Sequence, residues 1–407
     1  MREAGADAEV PVDTTLLGPL KRPGFRMLWL AWLAGNMTMW MHEMTAGWRM
    51  SQLTDSPALV AGVQAAGTLP LFVLGLASGA LADQLERRRF LAFSQAWIAL
   101  VALGLAVGAA TDTLTPATLL TLCVLNGVGL ALRFPVFSAL VPDMVPREQL
   151  SAALTLNALA INLTRVVGPL LAGAVLAWSS TAAVFALNAA MSVLAGVLIL
   201  RAPRTAHTPP PHRASLAAAI GEGLRHVRAS PVLRAILIRA FVFFVQAAGL
   251  VALLPLLARR IDADAGTYTL MLAAMGAGAV LAALALPRLP AMHGRSRIVD
   301  AGVVLQALAT TAAVMAPGIG LMAAALALSG AVWLCVANTL TMAAQLALTG
   351  AVRARGMSIY QMSIMGGSAA GAALWGLVVE WTSVSTSLLL SSAAALLMLG
   401  VTRRVSL

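Results

Sequence analysis

A histidine and a glutamate stand side by side within a long apolar run near the start of the chain. His42 and Glu43 fall inside residues 26–50, and Glu43 is the one acidic residue placed deep within such a run. A carboxylate removed from water favours its neutral form, so this position favours binding of a proton by Glu43. We expect His42 to relay that proton or to adjust how tightly Glu43 holds it. The alternative is a structural ion pair between Glu43 and an arginine of a facing helix.

The residues around this pair form two polar stripes if the run is helical. Successive residues of a helix diverge by about 100°, so residues three or four apart share a face. The two neighbouring stripes consist of Asn36, Trp40, Glu43 and Gly47, and of Thr38, His42, Thr45 and Arg49. Because polar groups are costly against lipid, this broad sector predicts a helix that faces the interior of the protein.

Further polar side chains recur in the other apolar runs, where a central charge costs roughly 2.5–3.5 kcal/mol. We expect them to line a solute cavity or to hydrogen-bond between helices. The predicted cavity residues are Asn36, Trp40, Asn126, Arg133, Asn157, Arg165, Arg239, Gln246, Asn338, Gln345 and Gln361. Arginines that face a cavity favour an anionic or catecholate-like solute.

The cysteines predict neither a disulfide framework nor a metal site. Cys123 and Cys335 both lie in apolar runs, where a cysteine packs as a small buried apolar residue. No metal-ligand spacing occurs, and no glycine-rich phosphate loop indicates a nucleotide. We therefore expect no metal and no cofactor.

The elements that must position these residues are membrane helices. Of the 407 residues, 60% are hydrophobic and only 11% are charged. In a soluble domain, charged residues make up about a quarter of the sequence. A span of the hydrocarbon core needs about 20 apolar residues. This length predicts an all-α integral membrane protein of about twelve spans, near residues 26–50, 57–82, 90–110, 116–140, 150–177, 181–201, 232–257, 268–287, 298–316, 319–347, 357–379 and 384–401.

The basic residues predict the orientation of these spans. Most of the 27 lysines and arginines fall in alternate connectors, and only Arg49, Arg259 and Arg260 fall on the opposite side. Positive connectors stay in the cytoplasm, so we expect a multi-pass protein of the bacterial inner membrane with both termini cytoplasmic. The net charge of +11 lies in these connectors rather than on a polar domain, so nucleic acid is not expected as a partner.

The spans divide into two six-helix halves that echo each other at an offset of roughly 205 residues, as parallel repeats do. We predict a cytoplasmic tail at 1–24, a first half at 25–201, a cytoplasmic linker at 202–230, a second half at 231–402 and a tail at 403–407. The linker contains an apolar helical face that favours an amphipathic helix on the membrane. A solvated linker is the alternative for its proline-rich first part.

The connector after the second span reads G-A-L-A-D-Q-L-E-R-R-R over residues 79–89. It resembles the G-x-L-a-D-R-x-G-R-R signature of the major facilitator superfamily, with Gln84 and Glu86 as departures. The resemblance implies the major facilitator fold and a gating loop that holds the outward-facing state. Its residues here are Gly79, Asp83, Arg87 and Arg88. The alternative is a plain positively charged cytoplasmic loop.

Other segments resemble the enterobactin-exporter branch of that superfamily, the transmembrane secretion effectors. They are Gly47–Trp48, Leu53–Pro57, Thr68–Pro70, Phe134–Pro135, Leu140–Leu150, Asn162–Pro169 and Arg353–Ser358. The resemblance implies a secondary transporter, with proton-coupled efflux of a siderophore, drug or metabolite by alternating access. We expect it to act as a monomer. A lysophospholipid flippase or a solute importer on the same fold is the alternative. A membrane enzyme is the remote one, because the connectors predicted outside the cell are short and contain no acid pair beyond Asp262 and Asp264.

Overall fold

The computed structural model describes residues 13, 15–82, 86–203, 225, 227–261, 264–285, 294–348 and 353–403. These residues form a short 3-10 helix, Gly18–Lys21, and twelve long α-helices, and they contain no β-strand. The helices are α1 Pro23–Leu53, α2 Pro57–Ala82, α3 Arg87–Ala110, α4 Pro116–Met144, α5 Arg147–Trp178, α6 Thr181–Arg201, α7 Pro231–Ile261, α8 Ala265–Ala285, α9 Arg295–Met315, α10 Ile319–Ala347, α11 Arg353–Trp381 and α12 Val384–Thr402.

Eleven of these helices, α2 to α12, are long and apolar enough to cross a membrane, among the residues that the structure describes. The exception is α1, whose 31 residues are long enough to cross but carry the polar sector around His42 and Glu43. That sector lowers its mean hydropathy, and it is tolerable because α1 packs inside the bundle. The predicted all-α membrane fold is confirmed.

Prolines and hydroxyl groups set where the helices begin. Four helices, α1, α2, α4 and α7, start with a proline. Proline is favoured at this position because the N–H group that it lacks would have no hydrogen-bond partner within the helix. The side chains of Thr115, Ser180 and Ser383 accept backbone N–H groups in the first turns of α4, α6 and α12. Such caps satisfy donors that the helix itself leaves free, so each short connector stops one helix and starts the next.

The same helix pairs pack in each half of the bundle. In the first half, α1–α6, helix α3 packs on α4 and α6, α2 on α4, and α1 on α5 and α6. In the second half, α7–α12, the counterparts six helices later make the equivalent pairs. This repetition is the pseudo-symmetry expected of two six-helix halves.

The two halves meet mainly through α2 against α11 and α5 against α8. We call the end of the bundle that holds residues 54–56 the distal end, and the end that holds Gly18–Lys21 and Thr402 the proximal end. Toward the distal end α5 and α8 approach closely at Gly173, where an added Cβ would lie 2.1 Å from Thr269 Oγ1. Glycine is needed there because any side chain would separate the two halves.

The predicted linker falls between α6, which ends at Arg201, and α7, which begins at Pro231. Residues 204–224 and 226 lie outside the described residues, and with them most of the predicted amphipathic helix. At the proximal end Gln149 of α5 accepts a hydrogen bond from Arg22 and donates one to the Asp13 carbonyl oxygen. These contacts tie the segment before α1 to the start of α5.

Candidate solute and proton site

A small cavity of about 50 Å³ lies between the two halves. Helices α1, α2 and α5 supply one wall, and α7 and α8 supply the other. The lining residues are Trp40, Glu43, Met44, Gly47, Val60, Val63, Gln64, Pro169, Val251, Ala252, Pro255, Tyr268 and Leu272. This volume has room for a few water molecules and not for an organic solute.

Three polar groups face this mostly apolar cavity without a hydrogen-bond partner among the described residues. The Glu43 carboxylate is partly accessible and makes no hydrogen bond or ion pair within the described part of the chain. Gln64 Oε1 and Trp40 Nε1 are buried and also unpaired. Buried polar groups normally have partners, so these three can bind water or a proton in the cavity.

Arg165 of α5 lies next to the cavity, between aromatic rings from opposite halves. Its guanidinium carbon is 4.8 Å from the centroid of Trp40 and 3.6 Å from the centroid of Trp333 on α10. The Arg165 charge also acts on Glu43, although no ion pair within 4 Å joins them. A cation over an aromatic face is stabilised by the ring quadrupole, so Arg165 is held across the interface without being neutralised.

His42 points away from Glu43, as their angular separation on the helix requires. Its ring is buried, with its centroid 5.9 Å from that of Phe185 on α6. It does not line the cavity that Glu43 faces. The structure therefore places the two predicted proton-coupling residues on different sides of α1.

Arg133 of α4 is buried inside the first half, with only 1% of its surface exposed. Its Nη2 atom donates a hydrogen bond of 3.4 Å to Asn36 Oδ1, whereas Nε and Nη1 have no partner. The guanidinium also lies against the rings of Trp32 and Phe134. Two predicted cavity residues, Asn36 and Arg133, are thus brought together, and no carboxylate of the described residues pairs with the guanidinium.

Arg239 of α7 lies elsewhere, within the second half near the proximal end. Its Nη1 atom is 3.0 Å from Asp300 Oδ1 of α9, and its Nη2 atom donates to the Thr402 carbonyl oxygen. Arg403 approaches the same carboxylate at 3.5 Å. This predicted cavity residue is therefore tied into a buried ion pair of the second half, away from Glu43.

The remaining predicted cavity residues fall into two groups. Asn126, Asn157 and Gln246 are buried, and the Gln246 amide has neither its oxygen nor its nitrogen paired. Exposed side chains on α10 and α11 make up the other group, Asn338, Gln345 and Gln361. The structure does not gather either group around the Glu43 cavity.

The predicted gating loop is described only in part. Gly79 lies in α2, and Asp83 lies outside the described residues. Arg87 makes a 3.0 Å ion pair with Asp143 at the end of α4, and Arg88 donates to the Ala202 carbonyl oxygen after α6. These arginines join the α2–α3 connector to the proximal ends of two other helices of the first half.

Glu86, a departure from the superfamily signature, lies within 2.7 Å of Arg89 and 3.9 Å of Arg88. The carboxylate therefore offsets part of the positive charge that the three successive arginines bring together.

Three residues around the site were missed by sequence reasoning. Tyr268 lines the cavity and stacks on Trp48; the chain has only 2 tyrosines, a scarcity that could have singled it out. Trp333 holds Arg165, and Gln95 approaches Arg133 where both meet Gly35. Periodicity gave no signal for these two, because their roles depend on which helices face each other.

The described residues contain no group of three or more histidine, cysteine or acidic side chains that could hold a metal ion. The ionisable groups at and beside the cavity are Glu43 and Arg165.

Comparisons with known proteins place the chain among membrane transporters. A family model described as transmembrane secretion effector matches residues 14–407. An uncharacterized MFS-type transporter, YfiS of Bacillus subtilis, is 28% identical over 285 residues, which cover 66% of this chain and 64% of YfiS. The enterobactin exporter EntS of Salmonella typhi is 26% identical over 263 residues, or 64% of this chain and 63% of EntS. The chain thus spans less than two thirds of the length of these relatives.

Solved structures share the fold at low sequence identity. The nucleoside transporter NupG superposes with a TM-score of 0.73 at 14% identity, covering 94% of this chain and 98% of NupG. A bacterial homolog of the human lysosomal transporter Spinster, inward-facing and unoccupied, gives 0.70 at 14%, covering 93% and 95%. These matches are transporters and not enzymes. The chain belongs to the transmembrane secretion effector family of major facilitator transporters.

Proposed function

We propose that this protein is a proton-coupled exporter that moves a small organic solute across the bacterial inner membrane by alternating access. The observation that carries the proposal is the Glu43 carboxylate, which faces a cavity between the two halves and has no partner among the described residues. A carboxylate held in this way can gain and lose a proton as the halves move, because no ion pair or hydrogen bond within the described residues holds it in one charge state.

Arg165 supports coupling between the proton and the solute. It lies between Trp40 and Trp333, so it contacts both halves at once, and its charge acts on Glu43. A protonated Glu43 leaves the Arg165 charge free to attract an anionic group. A deprotonated Glu43 attracts Arg165 itself. Deprotonated Glu43 and an anionic solute therefore compete for Arg165, so binding of the solute depends on whether Glu43 is protonated.

The route of the solute follows from where the halves touch. Polar contacts join them at the distal end, through Arg259 with Asp55 and Ser51, and through Glu380 with Ser56 and Ala58. Exposed polar side chains on α10 and α11, Asn338, Gln345 and Gln361, lie toward the proximal end. The solute enters from the proximal end in this state, between the two halves.

We place the proximal end, with both termini, in the cytoplasm. Its helix ends carry the arginines of the α2–α3 connector together with Arg147 and Arg201, whereas the distal end carries Arg49, Arg259 and Arg260. The positive-inside rule assigns the richer side to the cytoplasm. The working unit is a monomer, since both walls of the cavity come from one chain.

The experiment is transport into inside-out membrane vesicles with an imposed pH gradient, screened over siderophores and drugs. For a transported compound, Glu43→Gln reduces gradient-driven accumulation to the level seen without a gradient, because the amide cannot release a proton. Exchange of labelled for unlabelled solute, which needs no net proton movement, persists in the variant. Glu148→Gln, a change to an exposed carboxylate at the proximal start of α5, is the matched control and leaves both rates unchanged.

Full gradient-driven transport by Glu43→Gln would remove Glu43 from the coupling mechanism. Translocation of a lysophospholipid probe without transport of any soluble compound would favour the flippase instead. Accumulation in right-side-out vesicles only would indicate an importer.

A further inference from the structure

The connector between α1 and α2 lies at the distal end and joins two helix ends that face the second half. Helix α1 ends at Leu53 and α2 begins at Pro57. A helix leaves its last carbonyl groups and its first N–H groups without partners inside the helix. The segment Leu53–Pro57, which carries part of the family resemblance, therefore presents two unsatisfied helix ends within a few residues of each other.

The N-terminal end of α2 is capped by a carboxylate from the second half. Glu380, near the end of α11, accepts hydrogen bonds from the Ser56 hydroxyl and from the Ala58 N–H, the latter at 3.1 Å. The Ser56 hydroxyl also approaches the Leu59 N–H, at 3.4 Å. A negative charge is stabilising at the N-terminus of a helix, where the dipole is positive.

The C-terminal end of α1 is capped by a cation from the same half. Arg259, near the end of α7, donates to the Ser51 carbonyl oxygen in the last turn of α1, and its Nη1 atom lies 3.9 Å from Asp55. A positive charge is favourable at this helix end. The second half thus supplies an anion to one end of the connector and a cation to the other, each with the sign that the helix dipole requires.

We propose that Glu380 and Arg259 form a distal latch that holds the two halves together at this end by capping α2 and α1 in trans. Separation of the halves at the distal end leaves both helix ends without these partners at the same moment. Glu380 and Asp55 are exposed and Arg259 is partly so, and exposed charge contacts are individually weak. Weak contacts suit a latch that must open in every transport cycle.

The latch makes a prediction that an ordinary ion pair does not. If Arg259 held the halves together only through its ion pair with Asp55 of the first half, Asp55→Ala would open the distal end as far as Arg259→Ala does. Because each charge is matched to a helix end instead, the exchange of Glu380→Arg with Arg259→Glu places a cation at the start of α2 and an anion at the end of α1. The double variant therefore opens the distal end more than either alanine variant does.

The test measures the distance between the halves at the distal end by electron paramagnetic resonance on the full-length protein. Spin labels are attached through Thr113→Cys in the α3–α4 connector and Gly320→Cys at the start of α10, in a Cys123→Ala, Cys335→Ala background. Both label sites are exposed, and a Cβ at Gly320 meets nothing within 4 Å. No solute or pH gradient is needed, so the result is independent of the coupling role proposed for Glu43.

We expect Glu380→Ala and Arg259→Ala each to shift the population toward longer distances by about fivefold, the effect of losing one helix cap. Glu380→Gln, which keeps an acceptor oxygen but loses the charge, gives a smaller shift. The matched controls are two variants at the same distal end. In each, the replaced side chain contacts a residue of its own half and not of the opposite half. Asp112→Asn loses a charge that pairs with Arg49, and Arg260→Ala loses a contact to Ser385.

The proposal is overturned if the latch variants keep the parent distance distribution. It is also overturned if Asp112→Asn and Arg260→Ala open the distal end to the same extent, because general weakening of that end would then explain the shift. A parent distance distribution in the charge-exchanged double variant would also overturn it, because both charges then oppose the helix dipoles. Equal opening by Asp55→Ala and Arg259→Ala would replace capping of α1 with a direct ion pair to Asp55.

Discussion

Two arginines are buried inside the bundle, one in each half, and they are accommodated in different ways. Arg239 in the second half faces the Asp300 carboxylate and the Thr402 carbonyl oxygen. Arg133 in the first half faces one amide oxygen, of Asn36, and two aromatic rings, and two of its nitrogens have no partner. Arg239 is neutralised by the fold, whereas Arg133 is not.

The comparison indicates that Arg239 stabilises the folded protein, whereas burial of Arg133 lowers its stability. Burying a charge costs roughly several kcal/mol of solvation free energy. A counter-charge and hydrogen bonds inside the protein can offset this cost. Arg239 has that compensation and Arg133 lacks it. We therefore interpret Arg133 of α4 as retained for transport rather than for stability. It contacts Asn36, which lies on the same face of α1 as Trp40 and Glu43.

The largest expected effect comes from replacing each arginine by methionine. Arg239→Met leaves Asp300 in the protein interior without its main partner and costs about 3–5 kcal/mol of unfolding free energy. Arg133→Met leaves no carboxylate behind, only the Asn36 oxygen, and costs about 1 kcal/mol or less. Thermal unfolding in detergent checks both, and transport falls in Arg133→Met although the protein stays folded.

A double variant, Arg239→Met with Asp300→Leu, is the control for this comparison. It removes both charges, so stability returns close to that of the parent protein. Equal destabilisation by the two single methionine variants would contradict the distinction drawn between the arginines.

A smaller effect is expected at Gly35, where α1 makes room for Arg133. An added Cβ would lie 2.2 Å from Arg133 Nη1 and 2.8 Å from Gln95 Nε2. Gly35→Ala therefore displaces the guanidinium, costs about 1–3 kcal/mol of stability and reduces transport. In Gly67→Ala the new Cβ meets nothing within 4 Å, and stability rises by up to about 1 kcal/mol as expected for alanine in a helix. A harmless Gly35→Ala would mean that the position of Arg133 is not critical.

The smallest effect is expected at Arg403, the second cation near Asp300. Its side chain is 58% exposed and lies 3.5 Å from the carboxylate, so Arg403→Ala costs less than about 1 kcal/mol. Thermal unfolding measures the change against the parent protein. A loss as large as that of Arg239→Met would show that Asp300 depends on both cations rather than on the buried one.

Much of the fold could be predicted because a membrane restricts which secondary structures can span it. The lengths of the apolar runs predict helices such as α5 and α10 to within a few residues, since only a helix satisfies its own backbone inside lipid. The polar sector of α1 was also readable, because the helical repeat alone puts Asn36 and Glu43 on one face. The same repeat separates His42 from Glu43, and the structure keeps them apart.

Partners between helices were not predictable from the same information. Arg133, Arg165 and Arg239 were all interpreted alike as cavity residues, since each is an arginine in an apolar run. Asp300, Trp333 and Gln95 distinguish them, and these lie on other helices at sequence separations that no local pattern connects. The pairing depends on rotation and depth of each helix in the bundle, which packing decides.

The sequence by itself determined that the chain crosses a membrane repeatedly, where its helices begin and end, and that α1 has a polar face. These follow from local physics, because apolar length, helical repeat and capping act within one segment. Only the tertiary structure decided that Glu43 faces a cavity between the halves, that Arg239 is neutralised, and that Glu380 and Arg259 cap the helices of the opposite half. Those outcomes depend on distances between segments, and such distances exist only once the two halves have packed together.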